Sequence, residues 1–184
     1  MRSGKNEPVF SVAPAAAVLW GLLLYFTEPG QLFFLLPPVL VHELGHGLAM
    51  RSCGLRVDAL RVELSGLCLR YHGETGRWEE CWTAAAGPLA GFLYAAAVSL
   101  LPGRFALSGA VSLLLSLFNL LPVRPLDGGR IAAALLRPET ARMLSVIGAC
   151  AVSGAGAALL LAGKGAALLL AGVFLLLSQR GASL

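Results

Sequence analysis

The residues best suited to chemistry form one short pattern, His42-Glu43-Leu44-Gly45-His46, which has the form H-E-x-x-H. Side chains four residues apart lie on one face of an α-helix, so two imidazoles at this spacing can bind the same metal ion. Zinc in such a site lowers the pKa of a bound water, whose proton an adjacent glutamate can accept. The pattern therefore predicts that His42 and His46 hold the metal and that Glu43 is the general base of a hydrolytic reaction.

A third protein ligand is expected, because two histidines and a water leave one position of a tetrahedral zinc site without a ligand. The candidate is Asp127, which follows a charge-free run and stands among two prolines and two glycines. The charge-free run predicts a helix within a membrane, and the prolines and glycines should interrupt it. Irregular backbone within a membrane is tolerated only beside a cavity or inside protein. Asp127 could instead cap a helix or pair with Arg130. Beside the histidine pair, metal ligation is the favoured role.

Other polar residues have weaker claims to a role. Asn119 lies two turns before Asp127, and its amide could donate a hydrogen bond to the substrate backbone or to a developing oxyanion. Its alternative role is helix packing. The third histidine, His72, falls in a polar segment, where we expect a solvated structural role. The four cysteines have no C-x-x-C spacing, and we expect them to be small apolar fillers.

The composition is that of a membrane protein. Hydrophobic residues make up 57% of the 184 residues and charged residues only 13%, which is far from the composition of a soluble domain. The charge-free segments predict an all-α integral membrane protein with about six spans of about 20 residues each. We expect one membrane-embedded domain over residues 1–184, with spans at 8–27, 31–51, 81–102, 105–135, 141–162 and 165–179.

The segment after the second span has a different pattern. Residues 55–72 alternate partly between apolar and polar types, with Ser65-Gly66 as a turn signal. A short β-hairpin is expected there, at the membrane surface or beside the helices. Its edge could pair with a substrate strand and so hold the substrate backbone extended.

The distribution of basic residues predicts the orientation. If the N-terminus is cytoplasmic, only Arg104 and Lys164 of the 14 basic residues lie outside, as the positive-inside rule requires. Both termini and the inner ends of the second and fourth spans, which carry the metal ligands, are then cytoplasmic. The net charge of +4 is spread singly, so nucleic-acid binding is not expected. The apolar stretch after residue 8 is too long for a signal peptide and predicts an uncleaved first helix.

With H-E-L-G-H in the second span and N-x-x-P-x-x-P-L-D-G-G ending the fourth, the chain resembles the M50-type site-2 protease family of intramembrane zinc metalloproteases. The resemblance covers about residues 32–130. It implies that His42, His46 and Asp127 bind Zn²⁺ and that Glu43 is the catalytic base. It also implies that the substrates are membrane-associated proteins, cut within or near a membrane segment.

Within that family, the small size and six-span outline are most similar to the bacterial branch that includes the stage IV sporulation peptidase. This similarity implies regulated intramembrane proteolysis in the bacterial plasma membrane, with a transcription-factor precursor as substrate and a role in sporulation. The partners implied are a membrane-associated protein substrate, the lipid bilayer and an inhibitory membrane partner.

Two alternatives belong to other functional classes. A membrane zinc transporter can also place histidine and aspartate within the bilayer, but it would not require Glu43 beside the first histidine. A non-proteolytic relative could bind membrane proteins without cutting them. Vesicle zinc flux and the behaviour of a Glu43→Gln variant distinguish these classes from a protease.

Overall fold

A computed structural model of the chain describes residues 10–12, 29–63, 66–72, 76–101 and 105–181, with side chains over 34–55, 76–101 and 105–179. Six helices and three strands lie in these ranges. The helices are α1 (Pro29–Ser52), α2 (Arg77–Ser99), α3 (Phe105–Asn119), α4 (Asp127–Leu135), α5 (Pro138–Leu161) and α6 (Ala167–Gly181). The strands are β1 (Phe10–Val12), β2 (Arg56–Glu63) and β3 (Gly66–His72).

The three strands form one small sheet in the order β1-β2-β3. Strands β2 and β3 pair antiparallel, from Arg56 opposite His72 to Glu63 opposite Gly66, with a register shift between Val57 and Ala59. This pairing falls within the range in which the sequence predicts a hairpin. The sheet follows α1 directly, so it lies near the end of α1 that carries His46.

The prediction of a helix at the start of the first span is wrong. A helix is expected from residue 8, but Phe10–Val12 form β1, which pairs parallel to β2 with Phe10 opposite Leu60. Phenylalanine and valine favour strands, and pairing with β2 gives this backbone the hydrogen-bond partners that it needs. The other residues of that predicted span lie outside the described residues.

Helix α2 is the centre of the helical bundle. It packs against α1, α3 and α4, while α5 packs mainly against α6. The predicted fourth span, residues 105–135, is two helices, since α3 ends at Asn119 and α4 begins at Asp127. The interruption lies in the segment that contains the prolines, and it places a new helix start beside α2.

The described helices bury polar side chains and expose apolar ones. Four leucines at a spacing of four residues make one face of α1, and their exposed fractions are 42% for Leu36, 54% for Leu40, 62% for Leu44 and 68% for Leu48. The interior contains hydroxyl, imidazole and carboxyl groups beside mainly small apolar side chains. The buried polar residues are His42, His46, Thr83, Ser108, Ser112, Ser116, Asp127 and Ser145. Apolar surface on this scale fits contact with lipid, where small and polar residues mediate helix packing.

Two of the described helices, α2 and α5, are long and apolar enough to cross a membrane by length and composition. Helices α3 and α6 are also apolar, but they are shorter. Later in the chain, a buried apolar cluster is formed by Val123, Ala149 and Leu175. This cluster joins α5 and α6 to the segment between α3 and α4.

Candidate metal centre

Three buried side chains from two distant segments meet at one point. His42 and His46 come from α1, and Asp127 is the first residue of α4. The Nε2 atoms of the two histidines lie 3.2 Å from each other, and each lies 3.2 Å from Asp127 Oδ2. The structure therefore brings together the three residues that the sequence predicts as metal ligands.

The hydrogen bond of His46 to the backbone decides which of its nitrogens is available. Nδ1 lies 2.7 Å from the carbonyl oxygen of Thr83. A carbonyl only accepts, so Nδ1 carries the proton and Nε2 of the neutral ring presents a lone pair. Asp127 Oδ2 is an acceptor as well, so two acceptors face each other at 3.2 Å. One proton on His42 cannot satisfy both, whereas a cation between the three atoms would.

The donor set and its spacing fit zinc. Zinc binds imidazole nitrogen and carboxylate oxygen at about 2.0–2.2 Å in a tetrahedral site, which sets neighbouring ligand atoms about 3.3 Å apart. The observed separations of 3.2 Å agree with this value. Two histidines and one carboxylate are also a ligand set of catalytic zinc sites, which keep a fourth position for water or substrate. Zn²⁺ is therefore the metal that the cluster fits.

Helix α2 holds His46 in place. Besides the Thr83 carbonyl, Gly87 lies directly against the imidazole ring, because a Cβ atom at this position would come 2.5 Å from His46 Cε1 and 2.8 Å from Cδ2. Only glycine lets the two helices approach this closely without moving the ring. By contrast, His42 Nδ1 is buried without a hydrogen-bond partner among the described residues. Of the two imidazoles, His46 is the one oriented by the protein.

The start of α4 holds Asp127. Gly129 lies against the preceding segment, since a Cβ atom there would come 2.5 Å from Arg124 N and from Val123 C. The Gly129 N–H donates to Leu126 O at 3.0 Å, and the Leu126 N–H donates to Val123 O at 2.8 Å. This close turn fixes the direction in which the Asp127 side chain leaves the backbone.

The second oxygen of Asp127 faces an arginine. Arg130 Nη1 lies 3.7 Å from Asp127 Oδ1, which is an ion pair but too long for a hydrogen bond. Arg130 Nε donates to Glu80 Oε1 at 3.0 Å. Pairing with Arg130, the alternative role for Asp127, therefore coexists with its contact to the histidines, because the two contacts use different oxygens.

Two further hydrogen bonds hold α4 against α2. Arg77 Nε donates to the carbonyl of Ala134 at 2.8 Å, and Arg77 Nη2 donates to that of Leu135 at 3.1 Å. These are carbonyls of the last turn of α4, which have no partner within the helix. Helix α2 thus orients both parts of the cluster, His46 through Thr83 and Gly87, and Asp127 through the placement of α4.

Comparisons with known proteins agree with this chemistry. The model of peptidase family M50 matches residues 101–163, which include Asp127. A Mycobacterium tuberculosis protein named as the zinc metalloprotease Rip3 is 36% identical over 121 residues, which cover 58% of this chain and 31% of that protein. A Synechocystis protein named as a zinc metalloprotease is 30% identical over 109 residues, which cover 53% of this chain and 29% of that protein. These matches make part of the chain similar to peptidase family M50 and to proteins named as zinc metalloproteases.

A solved site-2 protease structure has a similar fold. The site-2 protease from Methanocaldococcus jannaschii superposes with a TM-score of 0.64, covering 96% of this chain and 92% of that one. Its sequence identity is 18%, so this likeness concerns the fold alone. The chain spans less than a third of the length of the Mycobacterium and Synechocystis proteins that it matches. The metalloprotease names of these relatives and the His-His-Asp cluster both fit Zn²⁺ as the cofactor.

The other residues that the sequence singles out, as candidate site residues or as structural ones, lie in different environments. Glu43 follows His42 on α1 and is half-buried. Asn119 is the last residue of α3, and its Nδ2 donates to the Leu115 carbonyl of its own helix at 3.0 Å. His72 ends β3, where the side chain is not described. The described cysteines, Cys53, Cys81 and Cys150, are free thiols.

Several groups around the metal centre are not predicted from the sequence. The contact of His46 with the Thr83 carbonyl cannot be predicted from the sequence, because every residue has a backbone carbonyl. Gly87 belongs to a run of small residues from Ala84 to Gly91, and such runs are common wherever membrane helices pack. The Glu80–Arg130 pair joins residues 50 positions apart, and neither residue stands in a pattern that names the other.

Proposed function

We propose that this chain is the catalytic membrane domain of a zinc-dependent endopeptidase that cuts membrane-associated proteins within or near a membrane segment. The observation that carries the proposal is the buried cluster of His42, His46 and Asp127 with Glu43 beside it on α1. Buried histidine and carboxylate groups inside an apolar bundle are costly, and they are retained where they have a task.

The roles of the residues follow from their positions. His42, His46 and Asp127 would hold the zinc, which when bound polarises a carbonyl and lowers the pKa of a water. Glu43 is the carboxylate next to the first ligand, and it would accept the proton of the attacking water and return it to the leaving amine. Thr83 keeps the Nε2 lone pair of His46 directed at the cluster, and Arg130 holds the outer oxygen of Asp127.

The orientation proposed places the site near the cytoplasmic face of the bacterial plasma membrane, with both termini cytoplasmic. Arginines support this assignment, since Arg51 lies in the last turn of α1 while Arg77 begins α2 and contacts the end of α4. Trp78 and Trp82 lie in the same first turns of α2 and are 79% and 51% exposed. Exposed tryptophans beside basic residues are typical of a membrane interface on the inner side.

The substrate is proposed at the level of its class. An extended segment of a membrane-associated protein could add to the β3 edge of the hairpin, because β1 already pairs with β2. Such pairing would keep the carbonyls of the substrate out of helical hydrogen bonds. Regulated proteolysis of a transcription-factor precursor, a sporulation role and control by an inhibitory membrane partner remain predictions of the narrower resemblance. Asn119 is proposed as a contact to substrate through its second Nδ2–H or its Oδ1, because the Leu115 carbonyl uses only one Nδ2–H.

Co-expression with a single-span reporter tests the proposal. The reporter has a tag on each side of a membrane segment, and a matched reporter lacks that segment. We expect wild type to cut only the tethered reporter, and Glu43→Gln to keep its zinc and lose cleavage. Cleavage that persists in Glu43→Gln would show that Glu43 is not the general base.

The same preparations distinguish the zinc transporter. Sealed vesicles that contain the wild type should show no zinc flux above that of empty vesicles. Flux that depends on His42 but not on Glu43 would replace the protease proposal with transport, whereas absence of both flux and cleavage would favour the non-proteolytic relative.

A further inference from the structure

The irregular backbone at Arg124, between α3 and α4, is held by side chains of two later helices. Within the described part of the chain, neither its N–H nor its C=O has a backbone hydrogen-bond partner. The N–H instead donates to Ser145 Oγ of α5 at 2.9 Å, and the C=O accepts from Gln179 Nε2 of α6 at 2.6 Å. Ser145 Oγ donates to Gln179 Oε1 at 2.7 Å. These three bonds form a closed ring, the Arg124 ring.

The Arg124 ring depends on the chemistry of both side chains. Ser145 is 3% exposed, and its hydroxyl both accepts from Arg124 and donates to Gln179. The Gln179 amide accepts through Oε1 and donates through Nε2, which also reaches the Leu175 carbonyl of its own helix at 2.9 Å. A carboxylate could not donate these bonds, and an apolar side chain could form none of them. Non-helical backbone at membrane depth is tolerated where protein groups supply its hydrogen bonds in this way.

The first turn of α4 packs against the same backbone. A Cβ atom on Gly129 would come 2.5 Å from Arg124 N and from Val123 C, so no side chain separates the two segments. Arg124 N is the atom that Ser145 holds. Asp127 lies two residues before Gly129 in this turn. A shift of the Arg124 backbone would therefore be passed on to α4, because close-packed interiors transmit strain.

An apolar contact next to the Arg124 ring joins the same elements. Val123 is fully buried in a cluster with Ala149 of α5 and Leu175 of α6. A Cβ atom on Gly148 of α5 would come 2.4 Å from Val123 Cγ2, so the helix approaches this side chain closely. Helices α5 and α6 pack mainly against each other. Their contacts with residues 123 and 124 therefore join this helix pair to the segment that supplies the third metal ligand.

We propose that Ser145 and Gln179 are positioning residues of the metal centre. Through the Arg124 ring they fix the start of α4, and with it the place of Asp127 in the cluster with the two histidines. The inference rests on the zinc site of the proposed function but not on proteolysis. Groups that orient a ligand without touching the metal change metal affinity by about 10- to 100-fold.

The zinc affinity of the purified full chain in detergent tests the proposal, measured by competition with a chromogenic chelator at a temperature at which every variant is folded. Gln179→Met keeps the length of the side chain but cannot form the ring, and Ser145→Ala removes the hydroxyl. Each should lower zinc affinity by about 10-fold. The double variant should lose less than the 100-fold product of about 10-fold per variant, because both residues act through one segment of backbone.

Two other serines on the same helices provide matched controls. Ser153 Oγ of α5 donates to the Ala149 carbonyl at 2.8 Å, and Ser178 Oγ of α6 donates to the Phe174 carbonyl at 2.9 Å. Both bonds stay within one helix and do not involve the connection between α3 and α4. Ser153→Ala and Ser178→Ala should therefore keep the zinc affinity of wild type.

Unchanged zinc affinity in Gln179→Met and Ser145→Ala would overturn the proposal even if thermal stability falls, because the ring would then stabilise the fold without positioning Asp127. An equal loss in the two control variants, or a full product of losses in the double variant, would also overturn it. If Ser145→Ala fails to fold, Gln179→Met decides, since its side chain is only half-buried. Zinc affinity is measured without substrate, so a wild type that binds zinc but cuts no reporter would refute the proposed function alone.

Discussion

Replacing Gly87 by alanine should damage the metal centre through His46 alone. The added Cβ would meet His46 Nε2, and it would lie 2.5 Å from Cε1 and 2.8 Å from Cδ2. Carbon atoms in ordinary contact are about 3.5–4.0 Å apart, so the ring must move by about 1 Å. Metal–ligand distances tolerate only about 0.2 Å of change. The ring that Thr83 orients would therefore no longer reach the ion.

Zinc affinity should fall more than 10-fold, and by about 100-fold if the His46 ring is displaced fully. Disturbing only the groups that orient a ligand already lowers metal affinity by about 10- to 100-fold. Overpacking of the α1–α2 contact should also destabilise the fold by about 1–3 kcal/mol, partly offset by the better helix propensity of alanine, about 1 kcal/mol. Competition with a chromogenic chelator measures the affinity, and thermal unfolding measures the stability.

The matched control is Gly47→Ala, one residue after His46 on the same helix. A Cβ at position 47 would meet nothing within 4 Å. This variant should keep the zinc affinity of wild type and be up to about 1 kcal/mol more stable, since alanine is the better helix former. Unchanged zinc affinity in Gly87→Ala would refute the steric reasoning and the placement of His46 against α2.

Three further variants test other parts of the structure. Arg130→Gln removes the ion pair on the outer oxygen of Asp127 and should lower zinc affinity by about 10-fold or more. The control Arg137→Gln should keep the zinc affinity of wild type. Equal zinc affinities of the two variants would show that Arg130 does not position Asp127. Saturating zinc at 100 times its Kd should stabilise wild type by about 2.7 kcal/mol over the chelated protein, and Asp127→Asn should lose this response in thermal unfolding. Leu175→Ala, at a side chain that is 1% exposed, should destabilise the protein by about 2–5 kcal/mol on denaturation in mixed micelles. Leu177→Ala, at an exposed side chain, should change it little, and similar losses at the two positions would contradict the buried cluster around α6.

The candidate metal ligands could be predicted from the sequence because their signals are local. His42 and His46 are four residues apart on one helix, and this spacing alone places them on one face. Asp127 could be joined to them because prolines and glycines interrupt an apolar span at a similar depth. The structure places the interruption between Asn119 and Asp127, but it makes α4 a separate helix. The sequence pattern instead favours one long span.

The parts that the sequence does not predict depend on contacts between distant segments. Phe10–Val12 lie at the start of a charge-free stretch that predicts a helix, yet pairing with β2, about 50 residues later, makes them a strand. Gly87 and the Thr83 carbonyl orient His46 only because α1 and α2 pack at this distance. Hydrophobic periodicity identifies which residues are apolar, but it does not identify their neighbours.

Zinc K-edge X-ray absorption on the purified full chain tests the metal centre most directly. Zinc–nitrogen and zinc–oxygen bonds are about 2.0–2.2 Å, whereas zinc–sulfur bonds are about 2.3 Å, so the spectrum separates histidine and carboxylate from cysteine. We expect one zinc per chain with two imidazoles and only nitrogen or oxygen ligands, and loss of the ion in Asp127→Asn. A sulfur ligand, or undiminished zinc in Asp127→Asn, would contradict a centre formed by His42, His46 and Asp127.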